Sequence, residues 1–346
     1  MDTWLQLIEE QLYKILPPEV SQKWATSLTG FQVDEQILPL YDQICQPARD
    51  LVYRKGKRWR PLLLLLIAKM IGGKEAFEKA LPLTPLVELP HNGSLIIDDI
   101  EDDAILRRGK EAIHLTYGTD ISINGGNFLY YLPTLIIGRQ KLSESKKLQL
   151  YEIYANHMRK IHLGQGMDII WHREINIIPP LESYKLMCRL KTGCLAAMGA
   201  QLGGAVATED LNLLQKSSDI AQELGLAFQI VDDIINLERG NKGKNQGDDI
   251  VENKKSLPII LYAQNNSDKL DYLFATFKYA QQSGYNKAKN EILKLIESIR
   301  ESGALNEAKS YSDTILQNIV SEIKLLFNES EERRYLIELI ESFPKN

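Results

Sequence analysis

Apolar residues recur three and four positions apart along nearly the whole chain, while the strict alternation that marks a half-buried strand is scarcely found. The pattern predicts an all-α protein. It places helices over 3–16, 34–55, 60–71, 75–103, 120–138, 143–172, 181–204, 209–237, 255–265, 268–282 and 286–301, with two more before the C-terminus. Breaks fall at Pro17-Pro18, Gly72-Gly73, Gly109, Pro179-Pro180, the Gly240–Gly247 loop and Ser283-Gly284, where helical backbone is costly. Pro82, Pro85 and Pro90 crowd the first half of 75–103, so that helix is expected to start late or kink. Without a repeat of 20–50 residues or a low-complexity linker, the simplest organisation is one domain over 1–346. Its core would span about 40–265, with 266–346 as packing helices.

Composition narrows the function classes. At 346 residues the chain can bury a large core, and a net charge of -5 with no dominant Lys/Arg cluster argues against general nucleic-acid binding. The longest apolar run, Pro61–Ala68, falls far short of the ~20 residues that span a bilayer. The acidic, amphipathic N-terminus lacks the layout of a signal peptide. Cys45, Cys188 and Cys194 form no CxxC pair and no plausible disulfide framework. A cytoplasmic protein with no membrane span is expected.

The densest chemistry lies at 91–109, HNGSLIIDDIEDDAILRRG, where five acids (Asp98, Asp99, Glu101, Asp102, Asp103) follow an apolar run and precede Arg107 and Arg108. On a helix Asp98 and Asp102 share a face, as do Asp99 and Asp103, so paired carboxylates could converge on a cation; a solvated acidic helix end is the competing reading. A second acidic pair, Asp232 and Asp233, sits among Ile230, Val231, Ile234 and Ile235, where unpartnered carboxylates would be costly. Its competing reading is a structural ion pair. Hard oxygen donors of this kind suit Mg²⁺, with Mn²⁺ as the other candidate, and substrate phosphates usually complete the shell. Cations for such a polyanion occur as Lys57, Arg58 and Arg60, Arg107 and Arg108, Lys191, Lys244, and Lys254 and Lys255, although each alone reads more often as solvated surface charge. GQGMDI lacks the third glycine of a dinucleotide fingerprint, and the 240–247 loop lacks the P-loop ending. The five histidines show no zinc spacing; His91, seven residues before Asp98, is either a site residue or a hydrogen-bonded core histidine.

GKRWRP, HNGSLIIDDIEDDAILRRG, KTG, FQIVDD and GKNQGDDIVENKKSLP, in this order over roughly 40–265, resemble the trans-isoprenyl diphosphate synthases, or polyprenyl synthetases. Within that family HNGSLIIDDIED, GQGMDIIW and QPARDL look most like the geranylgeranyl diphosphate synthases. The resemblance implies an isoprenoid-synthase helical bundle around a central active-site cavity, a homodimer or higher homo-oligomer, and head-to-tail (1'-4) condensation of isopentenyl diphosphate with dimethylallyl, geranyl or farnesyl diphosphate. It assigns three Mg²⁺ ions to Asp98, Asp102 and Asp232, with Asp99, Asp103 and Asp233 in support. Arg107, Lys191, Thr192, Gln229, Lys244 and Lys254 would hold the allylic diphosphate. Lys57, Arg60, His91 and Arg108 would hold the diphosphate of isopentenyl diphosphate. Asn236 departs from the family pattern, which has Asp at that place.

Product length follows from helix geometry together with the resemblance. Ser94 lies four residues before Asp98, about 6 Å deeper at ~1.5 Å per residue, with Gly93 beside it. In this family bulky aromatics there close the pocket, so Gly93 and Ser94 predict a product longer than farnesyl, with Tyr130, Tyr131 or Phe128 as candidate floor residues. A longer-chain polyprenyl or a farnesyl diphosphate synthase is the nearest alternative. A terpene cyclase fits less well because GKRWR and RRG supply cations for a second diphosphate, and a non-catalytic subunit fits less well because both Asp pairs and Lys191 are intact.

Overall fold

Helices dominate because nearly every apolar residue finds its partner one turn away, and the chain is broken where Gly or Pro forbids continuation. The computed structural model describes residues 2–240 and 245–343. In chain order these form α1 (Asp2–Ile15), α2 (Gln22–Thr29), α3 (Leu38–Tyr53), α4 (Trp59–Ala80), α5 (Pro85–Glu101), the two-residue strands β1 (Leu106–Arg107) and β2 (Lys110–Glu111), α6 (Ile113–Tyr117), α7 (Thr119–Tyr131) and α8 (Leu135–Arg139). There follow α9 (Glu144–Arg173), α10 (Leu181–Cys188), α11 (Cys194–Ala205), α12 (Leu211–Glu238), α13 (Asp248–Val251), α14 (Leu257–Asn265), α15 (Leu270–Ser283), α16 (Tyr285–Glu301), α17 (Ala304–Leu326) and α18 (Glu331–Ser342). The expected all-α class is borne out.

The chain divides into two compact units, one of residues 1–155 with 198–217 and one of 156–197 with 218–346. In the first, α5 packs along α7, and α3 packs against both. α4 is apolar all round from Leu62 to Ala68, and all seven residues are buried, as such a helix must be. In the second, Tyr184, Leu226, Ile230, Leu237, Leu257, Phe277 and Leu295 form one core beneath α10, α12, α14, α15 and α16.

Several expected boundaries shift for local reasons. The predicted 75–103 helix is two pieces: α4 breaks at Gly73, whose φ is +64°, and α5 begins at Pro85, where a missing N–H costs nothing. α5 then runs straight through Pro90 and stops at Glu101. The predicted 181–204 helix is interrupted by five π-helical residues, Arg189–Gly193. α2 escaped the periodicity reading because it is short, yet Ser21 caps its first turn and Gly30, in the left-handed region, closes its last. The hairpin of β1 and β2, also unforeseen, turns through Arg108 and Gly109, both at positive φ. Among the described residues no helix is long and apolar enough to cross a membrane, and Cys45, Cys188 and Cys194 are buried.

Candidate active site

In the first unit α5 delivers the acids and the hairpin delivers the arginines. The Asp102 N–H donates to Asp98 O at 2.9 Å, a backbone bond that closes the last turn of α5, with Asp102 just past the helix end. Asp103 does not stack on Asp99, because the chain has left the helix and Asp103 sits at φ +50°. Asp99 is fully buried and accepts from Arg107 Nε at 2.8 and 3.1 Å and from Arg107 Nη2. Burial pushes the Asp99 carboxyl up, and Arg107 acts against that shift. Both oxygens of Asp99, expected among the metal ligands, are bonded to Arg107, so Asp99 anchors the hairpin. Arg107 correspondingly spends Nε and Nη2 inside the protein. Arg54, gripped by Asp50, donates from Nη1 to the carbonyls of Arg107 (3.1 Å) and Glu111 (2.7 Å), pinning the hairpin to α3.

Arg60 is buried, and its Nη1 lies 3.4 Å from His91 Nε2. Burial, followed by Arg60, Arg108, Arg58 and Arg107, pushes the His91 imidazole well below its ordinary range, so it stays neutral amid cations. Burial likewise lowers Arg108 to about 10, with Arg58, Arg107 and Arg54 pushing the same way and Glu88 opposing. Cations forced together in a low-dielectric pocket favour an anion, and Lys57 stands exposed in the adjoining loop. Ser94 is half-buried, with its hydroxyl donating to His91 O at 2.9 Å.

Gly93 has another duty from the one expected. A side chain there would meet Gly126 O at 2.7 Å and Tyr130 Cε1 at 2.9 Å, so Gly93 is the contact that lets α5 and α7 approach. Gly93 thus packs against α7, with Ser94 beside it on α5.

In the second unit the π-helical turn carries Lys191 and Thr192. It fits because neighbouring helices offer glycines: a side chain at Gly164 would meet Lys191 N at 2.4 Å, and one at Gly225 would meet Gly193 Cα at 2.3 Å. Such bulges often mark functional sites. Lys191 Nζ donates to Asp168 Oδ2 at 2.7 Å, and His172 Nε2 lies 3.0 Å from Asp168 Oδ1. Lys191 and His172 overcome the burial of Asp168 and hold its carboxyl far below the usual range. Thr192 Oγ1 donates to Gln229 Oε1 at 2.8 Å, and Gln229 Nε2 to Asp233 Oδ1 at 3.0 Å. Asp233 Oδ2 accepts from Tyr184 OH (2.7 Å) and Leu257 N (3.1 Å), while Lys254 Nζ lies 4.0 Å from Asp233 Oδ1 and 3.4 Å from Asp249 Oδ2. Burial, with Asp249 adding to it against Lys254, pushes Asp233 up to about 6. Both oxygens of Asp233, expected among the ligands, are hydrogen-bonded within the protein, and Asp232, the other expected ligand here, is half-buried one residue earlier. Asn236 is buried, with Oδ1 accepting from Asp249 N at 3.4 Å and Nδ2 without a hydrogen-bond partner. Lys244 lies outside the described residues.

Among the described residues no three His, Cys, Asp or Glu side chains converge to hold a metal ion. The donor set still suits Mg²⁺, which commonly takes one or two carboxylates and fills its shell from phosphate and water. Asp168, Asp249, Tyr184, Glu88 and Asn92 were not singled out from sequence. The i,i+4 spacing of Asp168 and His172 within GQGMDIIWH could have flagged the first; the others show themselves only in three dimensions.

Residues 41–296 match the family model described as polyprenyl synthetase. The chain is 30% identical over 294 residues to a geranylgeranyl pyrophosphate synthase of Dictyostelium discoideum, covering 84% of this chain and 88% of that protein. It is 29% identical over 299 residues to a geranylfarnesyl diphosphate synthase of Aeropyrum pernix, covering 84% of this chain and 91% of that one. In fold it resembles the geranylgeranyl pyrophosphate synthetase of Pyrococcus horikoshii, with TM-score 0.84 and 23% identity over 99% of this chain and 96% of that chain.

Proposed function

This chain belongs to the polyprenyl synthetase family and is a prenyltransferase that elongates trans-prenyl diphosphates; from that premise we propose that its product is geranylgeranyl diphosphate, made head-to-tail from isopentenyl diphosphate and an allylic diphosphate. The observation that carries the chemistry is His91 Nε2 3.4 Å from Nη1 of the buried Arg60, in the same unit as Asp98, Asp102, Arg107 and Arg108. An acid pair and a buried cation cluster together suit substrates that bring diphosphates. The names of the relatives in Dictyostelium and Aeropyrum and the small Ser94 support a product longer than farnesyl.

In this reading Asp98, Asp102 and Asp232 hold the magnesium ions, three of them by family resemblance. Bound there, Mg²⁺ supplies positive charge to the diphosphate oxygens. Lys191, Thr192, Gln229, Lys254, Arg107 and Lys244 orient the allylic diphosphate, and the fixed cations stabilise the negative charge that gathers on it as the allylic C–O bond ionises. Lys57, Arg60, His91 and Arg108 hold isopentenyl diphosphate so that its double bond attacks the allylic cation. Apolar helix faces keep water away from the cation. The departing diphosphate takes up the proton, since no separate base is assigned. A homodimer of single-domain chains in the cytoplasm belongs to the same proposal, the dimer resting on the family resemblance.

The test is incubation of the purified chain with Mg²⁺, isopentenyl diphosphate and each of dimethylallyl, geranyl and farnesyl diphosphate, followed by chromatography. A C20 product is expected from all three; a C15 end product, or one of C25 or longer, would overturn the length assignment.

A further inference from the structure

α1 lies outside residues 41–296, which carry the family match, yet it reaches a chain of buried bonds that ends at a substrate cation. Glu9 Oε1 on α1 accepts from Arg58 Nε at 2.7 Å. Arg58, buried and held at φ +50°, donates from Nη1 to Glu88 Oε1 at 2.6 Å and from Nη2 to Val52 O at 2.6 Å. That same Glu88 oxygen accepts from Asn92 Nδ2 at 2.9 Å, and Asn92 Oδ1 accepts from Arg108 Nη1 at 2.9 Å. Leu51 O takes a second bond from Arg108 Nη1 at 2.9 Å, and Gly56 lies so close that a side chain there would meet Arg108 Nη2 at 3.1 Å.

We propose that α1 and Asn92 are positioning elements for isopentenyl diphosphate: Glu9 fixes Arg58, Arg58 fixes Glu88, and Asn92 transmits that fix to Arg108. The inference rests on the reading of Arg108 as a diphosphate-binding residue. The chemistry of each link is determined by its donors. Arg58 and Arg108 have only donors, so like charges this near need an acid and a group that both donates and accepts between them. Glu88 supplies the acid. Asn92 supplies the other: its Nδ2 faces the carboxylate and its Oδ1 faces Arg108, a polarity that no apolar or purely acidic side chain reproduces. Both bonds to Arg108 use Nη1, which leaves Nε and Nη2 as donors for an oxyanion, and a planar guanidinium fixed at one corner presents them in a set direction. α1 is secured for this role by Ile8, Leu12 and Leu16, all fully buried, and by Tyr53 OH, which donates to Leu16 O at 2.7 Å.

The full chain is assayed at steady state with isopentenyl and geranyl diphosphates as Asn92→Leu, Glu9→Gln, Glu9→Ala and Arg108→Gln. Asn92→Leu, close in size but without the amide's bonds to Glu88 Oε1, to Glu88 O (2.7 Å) and from Arg108, is expected to raise KM for isopentenyl diphosphate about tenfold, the scale of a lost charge-assisted hydrogen bond, and to leave KM for geranyl diphosphate and kcat in place. Glu9→Gln, which keeps an acceptor but no charge, should fall between wild type and Glu9→Ala. Thermal melts record folding; should Asn92→Leu fail to fold, the Glu9 pair decides the matter, because Glu9 is partly exposed. An unchanged KM for isopentenyl diphosphate in the folded Asn92 and Glu9 variants overturns the relay, as does an equal rise in both KM values. If Arg108→Gln raises KM for isopentenyl diphosphate while those variants do not, the relay alone fails. If Arg108→Gln leaves it unchanged, the diphosphate reading of Arg108 fails and the relay falls with it.

Discussion

Adjacent acids in this chain have opposite fates, decided by where each carboxylate points. Asp99 is buried and tied to Arg107, whereas Asp98 is half-buried on the same turn. Asp98→Ala is expected to lower kcat on the order of a hundredfold or more, as loss of a charge-stabilising group does. Asp99→Asn should instead cost about 2–3 kcal/mol in denaturant unfolding, because it leaves a partly buried arginine without its acid. Wild-type turnover in Asp98→Ala would contradict the division of labour. Lys255 offers a second test at this scale. It is buried, its Nζ donates to Asn253 O and Oδ1 at 3.1 and 2.5 Å, and burial pushes it down to about 7 from an ordinary 10.5. Between those values the unfolded chain binds the additional proton. Stability therefore climbs as pH rises from about 7 toward 10, and the cost of the buried ammonium is felt in full below that window. The denaturation midpoint of wild type minus that of Lys255→Met should rise across this range; a flat difference would remove Lys255 from the account.

At the scale of elements, the α5–α7 contact separates stability from specificity. Gly93→Ala should lower the melting temperature, since its methyl group meets backbone at Gly126 rather than a flexible tip. Ser94→Phe should shift the product toward shorter chains, because Ser94 is half-buried and one turn before Asp98. An unchanged length distribution in Ser94→Phe would end the pocket argument. The π-helical turn at 189–193 illustrates what periodicity hides: 181–204 reads as one helix because its apolar spacing survives a single wide turn. Only the backbone of Gly164 and Gly225 against that turn shows why it exists and how Lys191 comes to lie beside Asp168.

For the whole molecule, binding to the folded state alone raises stability by mass action. Mg²⁺ with inorganic diphosphate should raise the melting temperature, and the Asp98→Ala, Asp232→Ala double variant should lose most of that rise; an undiminished rise would place the ions elsewhere. The sequence by itself determined the helical class, most helix limits, and the residue types of the site, because periodicity, Gly and Pro punctuation and runs of acid or base are local properties. It could not assign duties among like residues. Asp98 and Asp99 read alike in sequence, as do Asp232 and Asp233, and Gly93 reads as open space beside Ser94. Tertiary structure tells them apart, because what each carboxylate bonds to depends on which arginine, tyrosine or amide folds back onto it. Whether a missing side chain makes a pocket or a contact depends on what packs across from it, at Gly93 the backbone of α7. The bonds from Glu9 to Arg108 join residues 99 positions apart, and no pattern along the chain encodes a contact of that kind.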